Sequence, residues 1–265
     1  MINGDLNPPP ITHNALTFAQ TDVSSWPALA NLFKVASETA GSKGITHVFA
    51  NAGISPRNTY LEGLRQDPAT GELLEPDSKT LDVNLKAVAN TVALGVHYFR
   101  QQLQTQEGQG RERVDYSIVL TASASSYQRF RTTDYTAAKH GVLGLLRGLV
   151  PNLLSPSTNN KPLLPIRVNA IAPSWTRTGI APGQFLRDLG VPSQGPEVVA
   201  RCVGLLMADG GRWGEVVYID QGRFWEIEEA VLLPAAGRVR VGEDEEAGRM
   251  VEMTERMRAE ASVKG

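Results

Sequence analysis

The chain has 265 residues, with 26 Lys and Arg against 28 Asp and Glu, a formal net charge of −2 at pH 7 and a pI of about 6.1. This length suits one large α/β domain with a sizeable core, and the balanced charge leaves no electrostatic footprint for nucleic acid. No apolar run reaches the roughly 18 residues of a membrane span, and the single cysteine, Cys202, excludes an internal disulfide and fits a reducing compartment.

Residues 1–15, with Pro8-Pro9-Pro10, read as an irregular proline-rich segment, because a proline run favours extended backbone poor in hydrogen bonds. The start also lacks the charged-then-apolar layout of a signal peptide, so the expectation is a soluble, cytoplasmic protein. Leu16 to Gln20 is strand-like and leads into Asp22-Val23. From Pro27 to Gly41 an amphipathic helix is expected, with Leu29, Leu32, Phe33 and Ala36 on one stripe. Asp22 reads equally well as the cap of that helix, ahead of Ser24-Ser25-Trp26-Pro27. A second strand, Val48-Phe49-Ala50, breaks into Asn51-Ala52-Gly53.

Ser55 to Lys79 is polar and rich in turn residues, followed by a helix from Thr80 to about Gln104 and a solvated loop over 105–115. The β-branched strand Ser117 to Thr121 ends in Ala122-Ser123. A helix follows, with Val142, Leu143, Leu145, Leu146 and Leu149 at apolar positions. After a loop over 156–165, Ile166 to Ala172 forms another buried strand, ending at Pro173. Thr178 to Pro196 has the composition of a lid, with Pro182-Gly183 and Gly190 flanking Phe185, Leu186 and Leu189. Cys202 sits in an apolar stretch as a small buried residue. Beyond Trp225 the charge signs alternate from Arg238 onward, with Met250, Val251, Met253 and Met257 spaced helically, which reads as a surface helix.

Strands alternating with helices give a doubly wound, Rossmann-like parallel sheet over 16–225, with 226–265 as a C-terminal extension. Small polar residues close three of the strands, at Asn51, at Ser123 and after Pro173. Ligands in such sheets bind beyond the carboxyl ends of the strands. Tyr135 and Lys139, four apart, share one helix face at that edge. A fixed cation beside a phenol favours the phenolate and brings its pKa towards working pH, so the pair is suited to moving a proton at an alcohol or carbonyl oxygen. The four histidines, His13, His47, His97 and His140, form no ligand cluster, so no metal is expected. A serine hydrolase lacks its G-x-S-x-G elbow.

Asn51-Ala52-Gly53, Asp82-Val83-Asn84, a serine ahead of Tyr135-x-x-x-Lys139, and Arg167-Val168-Asn169-x-x-x-Pro173 occur in that order. Their combination resembles the short-chain dehydrogenases/reductases, from about Leu16 to about Trp225. The resemblance implies NAD or NADP as cofactor and hydride transfer at a hydroxyl or ketone carbon of a small molecule. It makes Tyr135 the general acid/base, with Lys139 lowering its pKa and holding the nicotinamide ribose. Ser123 polarises the substrate oxygen, one residue nearer the tyrosine than is usual in the family, with Ser125 as the fallback. Asn84 is matched to the asparagine that opens a helix around a water in a proton relay. For cofactor binding, the resemblance points to Asp22 and Val23 at the adenine, and to the turn Asn51, Ala52 and Gly53. It adds Pro173, Thr176 and Thr178 beside the carboxamide or phosphate, although Ser174 replaces the family's glycine. A homo-dimer or homo-tetramer is implied, built on the helices at Thr80–Gln104 and Tyr135–Leu153. Tyr127, Phe130 and Trp175 point to a bulky apolar substrate, and Arg129 and Arg131 lie near the presumed mouth.

The family opens with a strand, a glycine-rich turn, a helix and a second strand carrying the NAD/NADP selector. Fifteen residues precede Leu16, whereas a βαβ unit takes roughly 30 or more. The expectation is therefore a fold without that first unit. In the family's strand order 3-2-1-4-5-6-7, this leaves either an open edge at the Asn51 strand or direct pairing with the Asp22 strand. Three readings stay open: an incomplete dehydrogenase, a cofactor-independent isomerase, dehydratase or cyclase using Tyr135 and Lys139, and an inactive scaffold.

Overall fold

The computed structural model describes residues 1–57, 60, 61, 63–106, 114–154 and 166–237. The chain divides into a large unit, Met1–Glu226, and a small one, Ile227–Gly265. The described part of the small unit is a π turn, Glu228–Leu232, followed by helix α7, Leu233–Gly237. The methionine stripe expected at 250–257 lies outside the described residues.

In the large unit, β3 (His47–Ala50), β4 (Tyr116–Thr121), β5 (Ile166–Pro173), β6 (Val216–Asp220) and β7 (Arg223–Glu226) form one sheet in that order. The first four are parallel, and β7 returns antiparallel beside β6. Helices cover both faces, which is why β4 and β5 are buried along nearly their whole length without alternation. Side chains alternate across the sheet. Val119, Ile171, Val217 and Ile219 meet α6 (Pro196–Ala208) through Val198, Cys202, Val203 and Leu206. On the other face Ile118 and Val48 lie under Gly95 of α3 (Ala87–Gln106), where an added Cβ would come within 3.3 Å of Val48. Helix α4 (Thr133–Leu154) packs against β4 and β5.

The amino-terminal segment corrects the expectation of an irregular stretch over 1–15. Ile2–Asp5 forms β1, which pairs in parallel with β2 (Thr17–Gln20), Ile2 opposite Thr17 and Asp5 opposite Gln20. The proline run follows this strand, where it removes no ladder hydrogen bond. β1 and β2 form a separate two-stranded sheet, and β3 pairs only with β4 among the described residues. Helix α1 (Trp26–Ala40) joins this ribbon to the rest. Leu32 packs on Gly4, where a Cβ would clash with the leucine side chain, and Phe33 meets Tyr98 of α3 with ring centroids 5.8 Å apart. Ser25, not Asp22, caps α1, its hydroxyl accepting from the Ala28 N–H.

The long helix expected from Thr80 is divided. A short α2 (Lys79–Leu81) passes into a π turn at Asp82–Lys86, closed by the Ala87 N–H donating to the Asp82 carbonyl, before α3 begins.

Arg167 lies at the amino-terminal end of β5, away from the strand ends that carry Ser123 and Pro173. It is buried, forks onto both Asp115 carboxylate oxygens, and donates to the Leu206, Met207 and Arg212 carbonyls. Asn169 completes the bracket, donating to the Arg212 carbonyl and accepting from the Glu215 N–H. The Arg-Val-Asn motif therefore fastens β5 to the end of α6 and holds no ligand. Asp115 is 45% exposed and keeps its access to water when Arg167 is lost, but the carbonyls that Arg167 serves are stranded, and a buried unsatisfied group costs about 1–3 kcal/mol. Arg167→Ala is expected to lower the unfolding free energy by about that amount, measured by urea denaturation.

Candidate active site

The carboxyl ends of β3, β4 and β5 converge on the amino-terminal half of α4. Lys139 is 2% exposed, and its Nζ donates to the Thr121 carbonyl at the end of β4, 2.7 Å away. The same Nζ lies 5.7 Å from the centroid of the Tyr135 ring, one helical turn earlier. Burial pushes the Lys139 pKa down to about 8.

The Tyr135 phenol is held above its usual range by burial, against which a hydrogen bond with the Ser123 side chain pulls it down. This corrects the expectation of a phenol made acidic by its amine. In the structure desolvation dominates, while the ammonium faces a backbone carbonyl and the edge of its influence falls on the ring. Burial also pushes the Tyr127 phenol up, to about 12.

Ser123 is brought to Tyr135 by a single 3-10 turn, Ala124–Ser126, with a reciprocal cap. The Ser123 hydroxyl accepts from the Ser125 N–H, and the Ser126 hydroxyl accepts from the Ser123 N–H. The fallback, Ser125, is sealed inside at 1% exposure, its hydroxyl without a partner among the described residues. Geometry thus favours Ser123 despite its shortened spacing.

Asn84 sits fully buried in the π turn, a helix irregularity frequent at functional sites. Its amide grips Ile54 from both sides, Oδ1 accepting from the N–H at 2.8 Å and Nδ2 donating to the carbonyl at 3.0 Å. Gly53 has no left-handed φ. A Cβ there would stand 3.4 Å from Asn84 Oδ1, so the turn and the π segment nearly touch. Asn51 Oδ1 accepts from the Thr121 hydroxyl at 3.1 Å, tying β3 to β4 just before Ala52.

Asp22 Oδ1 accepts from both the N–H and the hydroxyl of Ser24, and Oδ2 lies 3.9 Å from Lys79 Nζ. The Ser24 hydroxyl and N–H, more than the nearby lysine, hold this carboxyl below the usual range. Val23 beside it is half-buried. After Pro173, the Thr176 hydroxyl donates to the Ser174 carbonyl and accepts from Gln194, whereas Thr178 is exposed and accepts from the Ile180 N–H.

Three polar residues at this edge had escaped the sequence reading. Asp134, 2% exposed at the start of α4, accepts from the Tyr135 N–H and, 2.8 Å away, from the Arg57 N–H. Its position directly before Tyr135 was the available signal. Gln194, also buried, closes the loop after β5 by donating to Thr176 and to the Ile219 carbonyl; nothing in its local sequence marks it. Asp5 ends β1, its Oδ1 accepting from the Asn7 N–H. It was overlooked because the segment had been read as irregular. No group of three or more metal-ligating side chains occurs among the described residues, and no helix there is long and apolar enough to cross a membrane.

A family model described as short chain dehydrogenase matches residues 11–186. The short-chain dehydrogenase/reductase ascJ of Acremonium egyptiacum is 42% identical over 242 residues, covering 90% of this chain and 76% of its own. ATR7 of Stachybotrys chlorohalonatus, also a short-chain dehydrogenase/reductase, is 32% identical over 240 residues, covering 81% of this chain and 67% of its own. A solved 4-hydroxyisoleucine dehydrogenase complexed with NADH and succinate shares the fold, with a TM-score of 0.60 at 22% identity, over 83% of this chain and 86% of that one. So does carveol dehydrogenase from Mycobacterium avium in complex with NAD, with a TM-score of 0.57 at 23% identity, over 77% and 73%. This parallel sheet, with its tyrosine and lysine at the carboxyl edge, belongs to the short-chain dehydrogenase/reductase family, a family of oxidoreductase enzymes.

The burial of Lys139 has a stability consequence. Its folded pKa of about 8 lies below the ordinary lysine value of 10.5, so between these values the unfolded chain binds more protons than the folded one. Stability therefore rises with pH across that window, and the burial cost is fully present below it. The denaturation free energy of the wild type relative to Lys139→Met is expected to climb from pH 8 to pH 10.5, which paired urea titrations would measure.

Proposed function

We propose that the protein is a nicotinamide-dependent oxidoreductase that passes hydride between NAD(P) and a hydroxyl or ketone carbon of a bulky apolar small molecule. The observation that carries this reading is the Ser123–Tyr135 hydroxyl pair beside the buried Lys139.

The residues present fit both ends of such a cofactor. Asp5 and Asp22 stand at or just beyond the ends of the paired strands β1 and β2, and we assign them, with Val23, to the adenosine half. Asn51, Ala52 and Gly53, with Lys139, Pro173, Thr176 and Thr178, are assigned to the nicotinamide half. Thr178 is the freer of the two threonines, since the Thr176 hydroxyl is engaged within its own loop. The pyrophosphate has no glycine-rich turn among the described residues. When bound, the nicotinamide supplies or accepts the hydride.

In ketone reduction, Tyr135 gives its proton to the substrate oxygen, and a phenol kept protonated by burial is in the correct state to do so. Ser123 donates a hydrogen bond to the same oxygen and steadies the charge that develops there. Lys139 returns a proton towards Tyr135, and a pKa near 8 suits it to that exchange near neutral pH. Asn84 fixes the approach by holding Ile54 beside the Asn-Ala-Gly turn. The assembly assigned to this enzyme is a homo-dimer or homo-tetramer through α3 and α4.

Asp5 adds a coenzyme preference. A carboxylate ending the strand accepts from a ribose 2′-hydroxyl and repels a 2′-phosphate, which favours NAD over NADP.

Titration of the purified protein with NADH and NADPH, followed by turnover of a ketone panel, tests the reading. NADH is expected to bind more tightly, and Asp5→Ser to narrow the difference. Tyr135→Phe is expected to lower kcat by about 10²–10⁴-fold, the range for loss of a general acid, with the NADH affinity retained. Turnover without any nucleotide would replace this reading with an isomerase, dehydratase or cyclase. Absence of both nucleotide binding and turnover would leave a scaffold.

A further inference from the structure

Phe130 lies in the short segment 128–132 between the Ser123 turn and the start of α4, five residues before Tyr135. Trp175 lies two residues beyond Pro173, where β5 ends. Their rings meet with centroids 5.7 Å apart and planes inclined by 51°. The two segments that flank the proposed proton-transfer site are thus joined by an aromatic pair.

This pair is not core. Phe130 is 39% exposed and Trp175 36%, although each touches the other. A single exposed aromatic needs no explanation, but two in mutual contact at the carboxyl edge of a parallel sheet stand where ligands bind. Arg129, Arg131 and Arg177 are exposed close by in the chain, so the surroundings disfavour a cationic ligand.

We infer that Phe130 and Trp175 form a stacking subsite for a neutral or acidic aromatic ring, so that the substrate handled at Tyr135 is an aryl-bearing alcohol or ketone. This rests on the dehydrogenase reading for the chemistry, but not for the binding. Rings prefer offset or edge-to-face partners, and an inclined pair with free surface offers a third ring both kinds of contact. An aliphatic chain of equal carbon number gains burial there but no ring–ring attraction. A second aromatic series also exists: Tyr127 meets Tyr218 edge-on at 6.3 Å, and Tyr218 stacks on Trp225 at 5.7 Å. Its exposed member, Trp225, lies on β7, whereas Phe130 and Trp175 follow the Ser123 turn and the end of β5.

The test compares acetophenone with 2-octanone, which have the same number of carbons, by calorimetric titration of the full chain and then by NADH consumption. Acetophenone is expected to bind roughly tenfold more tightly, the size of an aromatic contact. Trp175→Leu, which keeps apolar bulk, is expected to reduce that ratio to about twofold or less, and Phe130→Leu serves as the second variant should the first fail to fold. Equal affinity for the two ketones, no binding of either, or a ratio unchanged in the variants would overturn the subsite. Selective binding of acetophenone without NADH consumption would support the subsite while sinking the dehydrogenase reading, so the two fail separately.

Discussion

An ammonium group removed from water must find an acceptor or give up its charge, and Lys139 is under that constraint. Among the described residues its acceptor is the last carbonyl of β4. That bond joins the middle of α4's first half to the carboxyl edge of the sheet. Because Tyr135 is one turn earlier on the same face, the tether also decides where the phenol stands. Burial moves both groups in the direction of neutrality, the lysine downward and the tyrosine upward. Neither shift favours a fixed ion pair between the two.

Around that tether, the chain after β3 is clamped twice. Asn84 holds Ile54 through both ends of its amide, and Asp134 holds the Arg57 N–H. Each hydrogen bond contributes only about 0.5–1.5 kcal/mol net, but stranding a buried partner costs about 1–3 kcal/mol. The clamps are therefore difficult to open one at a time. Arg57 extends the network by donating to Asp77, whose other carboxylate oxygen accepts from the Lys79 N–H as α2 begins. Lys79 in turn donates to Ser24, beside Asp22. A continuous polar route thus runs from the helix that bears Tyr135 to the turn after β2.

Legibility differed by element. Apolar runs such as Ile118-Val119-Leu120 and Ala170-Ile171-Ala172 announced buried strands, since a doubly covered parallel sheet buries both faces. Tyr135 and Lys139 were legible as a pair because helical spacing alone puts them on one face. β1 was missed because four residues with one glycine carry almost no periodic signal, and their strand state depends on β2 being alongside. The π turn escaped for a similar reason: Asp82 to Lys86 has ordinary helix composition, and the widening is visible only in the Ala87–Asp82 bond and the docking of Asn84 on Ile54. The sign of the Tyr135 shift went the wrong way because a spacing of four residues specifies a shared face but neither the depth of burial nor the direction of the ammonium.

By itself, the sequence determined the class of fold, the strand ends that would carry polar residues, and the candidate side chains for moving a proton. These follow from local periodicity and residue chemistry, which the chain carries wherever it folds. Tertiary structure alone decided that Ser123, and not Ser125, reaches Tyr135, that burial outweighs the lysine's charge, and that Phe130 and Trp175 meet. Those outcomes depend on desolvation and on contacts between segments distant in the chain, and neither quantity exists until the sheet and its helices have closed around them.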